Sequence, residues 1–115
     1  MFFLFWIGCA SDKGITVFNA PPEAFITSHE QDSSFFEGQV VDFIGSIADS
    51  NDYATDLRGT WYIDNREICA TTAADEEGDV FCTATIQEGD EQIILEAKDP
   101  DNASGSDFLD IIVTP

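Results

Sequence analysis

Apolar and polar residues alternate along most of this chain, the pattern of strands that bury one face. Over 39–48 (QVVDFIGSIA), Val41, Phe43, Gly45 and Ile47 share a face. Trp61 and Ile63 do so over 57–64 (LRGTWYID), and Ile93, Leu95 and Ala97 over 91–98 (EQIILEAK). Over 106–114 (SDFLDIIVT) the inward set is Leu109, Ile111 and Val113. Shorter strand-like runs occupy 23–28 (EAFITS), 66–71 (REICAT) and 79–86 (DVFCTATI), with turn residues between them. No stretch holds a helical period of about 3.6. The pattern predicts an all-β fold: a single antiparallel β-sandwich of about seven strands over 23–115, with no internal repeat. Phe35-Phe36 falls in the loop after the first strand, where one ring is expected to plug the end of the core.

Composition sharpens this picture. The chain has 115 residues, room for one domain, and is 43% hydrophobic, enough for a core rather than a disordered acidic tail. It carries 23 Asp plus Glu against 4 Lys plus Arg, a net charge of -19. Such a chain repels nucleic-acid phosphates and gains nothing from anionic headgroups; cations, basic partners or a salty medium suit it.

The front of the chain asks for a different account. Residues 1–8 (MFFLFWIG) are apolar, and the sequence then turns polar. A secretory signal also needs a basic n-region, which is absent, and the run is too short to span a bilayer as a helix. Trp6-Ile7-Gly8-Cys9 resembles a bacterial lipobox, in which a peptidase cuts before Cys and the thiol receives a diacylglycerol. Ile7 and Gly8 fit, whereas Trp6 stands where an aliphatic residue is usual. The short, uncharged front points to a start placed too late. A chance apolar N-terminus with a free thiol is the alternative.

On the lipoprotein reading, 1–8 is a signal segment, 9–22 is the lipidated Cys9 with a linker ending in Pro21-Pro22, and 23–115 is the domain. The membrane is then a partner through the lipid anchor. Ala10 and Ser11 put no acid directly after Cys9, and the resemblance then implies an exported protein at the outer membrane or cell surface.

Assigning Cys9 to lipid leaves Cys69 and Cys82, an even remainder that reads as a disulfide in an exported domain. They flank the acidic turn ADEEGD symmetrically, so a hairpin would set them opposite each other. With His29 the sole histidine, a zinc set is not on offer.

Several segments together resemble the PKD and related bacterial immunoglobulin-like domains. They are NAPPEAFITS (19–28), EGQVVDFIGSIADS (37–50), LRGTWYID (57–64), IILEAKDPD (93–101) and SDFLDIIVTP (106–115). The resemblance implies that Trp61 is the core tryptophan of the third strand and that Gly45 is small because its strand passes close to a neighbour. Phe43 and Leu95 stand roughly where antibody-type domains carry their bridge, so Cys69–Cys82 is a different staple. The family implies spacing, adhesion, or contact with a protein or glycan, and rarely catalysis.

Catalytic chemistry finds little support. His29 lies in the polar run SHEQDSS and reads as a solvent-exposed loop residue; Ser33 and Ser34 have no triad partners in sight, and no phosphate loop, HExxH or CxxC occurs. Asn102-Ala103-Ser104 is a glycosylation-type triplet, read as chance in a bacterial-looking lipoprotein. No cofactor is expected, with calcium as the one alternative. If strands alternate in direction, the loops at 49–56, 73–79 and 99–107 share one end and concentrate acids there. Asp99 and Asp101, faced by Asp49 and Asp52, are the candidate ligands, since calcium takes six to eight hard oxygens from flexible loops.

Overall fold

The computed structural model describes residues 20–115. The strands in chain order are β1 (Glu23–Ile26), β2 (Ser33–Phe36), β3 (Val40–Ala48), β4 (Arg58–Ile63), β5 (Arg66–Ala73), β6 (Asp79–Thr85), β7 (Gln92–Lys98) and β8 (Ser104–Thr114). They make a three-stranded sheet, β1-β3-β6, and a five-stranded sheet, β2-β8-β7-β4-β5. The two sheets enclose one apolar layer, the sandwich that the alternation predicts. A 3-10 turn at Ala54–Asp56 is the one helical element among the described residues. The proposed signal segment, Cys9 and the linker as far as Asn19 lie outside the described residues.

Alternation sets the core. The inward positions of β3, β4 and β7 place Phe43, Trp61 and Leu95 at zero exposure, joined by Ile47, Ile63 and Ile93. Each such side chain stabilises the fold by about 1.5–3 kcal/mol relative to exposure. Phe43 of one sheet meets Trp61 of the other with ring centroids 6.0 Å apart. Gly45 makes that fit possible. A Cβ there would collide with the Leu95 side chain and come within 3.1 Å of Trp61 Cζ2.

The structure corrects the sequence reading in three places. There are eight strands, close to the seven expected; the addition is Ser33–Phe36, read as a loop, which forms β2 and pairs parallel with β8 (Ser33↔Ile111 to Phe36↔Thr114). A four-residue strand with one well-buried side chain leaves no alternation to read, and a parallel pair leaves no hairpin. Phe35 enters the core while Phe36 stays in solvent.

The cysteine strands do not form a hairpin. β5 turns back through Asp64-Asn65 to pair with β4, and β6 pairs with β3 in the other sheet. The intervening segment crosses over at buried Ala74, whose N–H donates to the Leu57 carbonyl at 3.0 Å. The Cys69–Cys82 disulfide is present, with the Cα atoms 5.9 Å apart, and it clips one sheet to the other along their open edge.

His29 is not a solvent-exposed residue. It is half-buried, with its ring centroid 5.3 Å from that of Phe35 and 5.2 Å from that of Phe43. The polar residues around it concealed an aromatic contact made through distant strands.

Candidate functional site

The loops after β3, β5 and β7 meet at one end of the sandwich. The Ile47 N–H donates to the Gly78 carbonyl at 2.8 Å, which joins the first loop to the second. The incoming chain arrives there too, where the Ala20 N–H donates to Asn51 Oδ1 at 3.1 Å.

Asp side chains shape these loops by accepting their own backbone donors, as Asx turns do. Asp49 Oδ1 accepts from the Asn51 N–H at 2.9 Å. Asp99 Oδ1 accepts from the N–H groups of Asp101 and Ala103, both at 2.9 Å. Asp75 Oδ1 does the same for Glu77 and Asp79. Three of the four candidate ligands converge: one carboxylate oxygen each from Asp49, Asp52 and Asp99 lie within 4.8 Å of one another. Asp101 is outside this trio. A second group, Asp75, Glu77 and Asp79, lies on the neighbouring loop and was not singled out from sequence.

The electrostatics of the trio are unfavourable as it stands. Loss of solvent, then the carboxylates of Asp49, Asp99, Asp101 and Asp56, push the Asp52 carboxyl above its usual range. Asp49 Oδ2 and Asp52 Oδ2 are buried atoms with no hydrogen-bond partner among the described residues. Buried acceptors are ordinarily satisfied, so these two oxygens call for a donor or a cation.

An open groove of about 560 Å³ lies beside the trio. Its walls include Arg58 and Lys98, opposite each other on β4 and β7, with Thr71 of β5 and Asp56 and Asn102 from the loops. The alternation pattern alone does not pair these two bases; the register does, placing Arg58 and Lys98 at outward positions on facing strand ends.

At the other end of the sandwich the acids serve the fold. Asp90 is buried, forms an ion pair with Arg66 at 3.3 Å and accepts from the Gln87 N–H at 2.7 Å. Asp64 accepts from the N–H groups of Glu91 and Gln92. His29 Nδ1 shares a 2.8 Å hydrogen bond with Ser28 Oγ, and burial lowers its pKa.

No family model matches the chain. No curated protein matches it either. The fold does have relatives among solved structures. The fibronectin(III)-like modules of Clostridium thermocellum CbhA superpose with a TM-score of 0.69 at 16% identity, over 94% of this chain and 50% of that one. This chain thus spans half the length of that protein. The PKD domain of an M14-like peptidase from a Thermoplasmatales archaeon gives 0.62 at 15% identity, over 83% of this chain and 99% of that one. Titin M4 gives 0.55 at 15% identity, over 85% and 100%. The chain is thus a β-sandwich of the immunoglobulin, fibronectin III and PKD type. At these identities the likeness is one of fold.

Proposed function

We propose that the domain is a non-catalytic envelope module, exported and held to the membrane through a lipid on Cys9, that spaces, adheres or makes contact with a protein or glycan. The observation that carries this reading is the Cys69–Cys82 disulfide within an immunoglobulin-like sandwich. Disulfides persist in oxidising compartments, and such a fold commonly serves as an extracellular spacer or contact module. The sole histidine supports the non-catalytic part: His29 is engaged by Ser28 and two phenyl rings at the end away from the groove. Labelling of the expressed protein with a palmitate analogue tests the anchor. Cys9→Ser should abolish the label, and a variant that labels as strongly as the parent overturns the lipoprotein reading.

A second reading is favoured by the Asp49–Asp52–Asp99 trio and its two unpartnered oxygens. Calcium is a hard cation that takes carboxylate, carbonyl and water oxygens, and these residues would hold it. It would bind the β3–β4 loop to the β7–β8 loop where the chain comes in from the linker. Thermal melting in millimolar calcium against chelator, with magnesium at matched ionic strength, is the test. Equal melting points in calcium and magnesium would reduce the acidic end to solvated charge.

A further inference from the structure

Arg58 and Lys98 are direct cross-strand partners, both exposed on the outer face of the five-stranded sheet. Like charges directly opposite each other destabilise a sheet. The chain has 23 acids with which to neutralise them, yet the ion pair formed among the described residues, Arg66–Asp90, involves neither. The two bases instead face the same groove of about 560 Å³, a size typical of small-molecule sites.

We propose that this groove binds a carboxylate-bearing sugar, a single uronic acid. The guanidinium of Arg58 presents a planar fork that matches a carboxylate, and Lys98 adds a second positive charge beside it. Thr55, Asp56 and Asn102 offer partners for ring hydroxyls. Asp56, also on the walls, sets the charge of the ligand. A second negative charge about 4 Å from it costs from about 1 kcal/mol at the dielectric of water to about 4 kcal/mol near a protein surface. A monoanion rich in hydroxyls fits this mixture; a phosphate or sulfate dianion does not. Repulsion from the rest of the acidic surface is screened beyond about 8 Å at physiological salt.

The inference rests on the contact-module reading above and gives that module a ligand class. The experiment is an amide NMR titration of the full chain at physiological salt with galacturonate, with galactose and sulfate as controls. Saturable shifts are expected at Arg58, Thr71, Lys98 and Asn102 with galacturonate, and none with galactose. The exposed-site variant Arg58→Gln/Lys98→Gln should bind about tenfold or more weakly, as expected for lost charge-assisted hydrogen bonds. Lys98→Gln alone should show a smaller loss and serves if the double variant does not fold. Three results overturn the site: no shifts at the groove, shifts unchanged by the substitutions, or sulfate binding as tightly as galacturonate. None of these bears on the anchor, which stands or falls by the labelling of Cys9.

Discussion

Cys69 and Cys82 belong to different sheets, and their bond is the one covalent link between side chains of the two layers among the described residues. It closes a loop with a sequence separation of 13. In the chain-entropy model a loop of this size contributes about 3 kcal/mol. Cys69→Ala/Cys82→Ala is therefore expected to unfold at lower urea, with stability reduced by about 2–4 kcal/mol. The fold should survive, because Phe43, Trp61 and Leu95 still close the core from both sheets. Matching near-ultraviolet spectra for variant and parent before the transition would check this.

Gly78 and Gly38 make a paired test of backbone strain. Both have positive φ, 87° and 86°, where an L side chain costs about 1–2 kcal/mol. A Cβ on Gly38 meets nothing within 4 Å, whereas one on Gly78 would lie 2.6 Å from the Ile47 carbonyl oxygen, which is backbone and cannot step aside. Gly78→Ala should cost more than Gly38→Ala, measured by urea unfolding. Equal losses would mean that the β5–β6 crossover is free to shift.

The pH dependence of stability should show His29. Burial among Phe35 and Phe43 holds its pKa below the usual value, so the unfolded chain takes the proton first as pH falls. Its contribution is whole above about pH 6.5 and is lost as pH drops toward the folded-state value. The stability gap between the parent and His29→Gln should therefore narrow on acidification across that window. A gap that stays constant would place the imidazole in solvent.

Asp52 carries the opposite sign. Its carboxyl is pushed up by loss of solvent and by neighbouring carboxylates, so its charged form weakens the fold above that raised pKa. In chelator at neutral pH, Asp52→Asn should melt higher than the parent. The difference should vanish as pH falls through the raised value and the native carboxyl protonates. If the trio holds calcium, the order reverses in saturating calcium, where the parent gains and the variant does not.

Local rules made the sandwich legible. A period of two along β3, β4, β7 and β8 marked the inward faces, and Phe43, Trp61 and Leu95 are buried on them. The even cysteine remainder marked the Cys69–Cys82 bond. What escaped was decided at long range. β2 is held by a parallel partner about eighty residues later in the chain, which no local pattern announces. The disulfide partners were visible, but their sheets were not, since the crossover at Ala74 looks like an ordinary hairpin turn in sequence. The acidic trio was legible because alternating strands send alternate loops to one end. The Arg58–Lys98 pair needed a register, which composition cannot supply.

The parallel union of β2 and β8 also bears on how the domain takes a pull. The chain comes in beside Asn51 at the acidic end, and β8 leaves at the other, where the Glu37 N–H donates to the Thr114 carbonyl. Traction between the N-terminal side and Pro115 therefore drags β2 and β8 in opposite directions along their own axes. The inter-strand hydrogen bonds run across that direction and share the load together, instead of opening one at a time like a zipper. The domain is braced against stretching from its two ends.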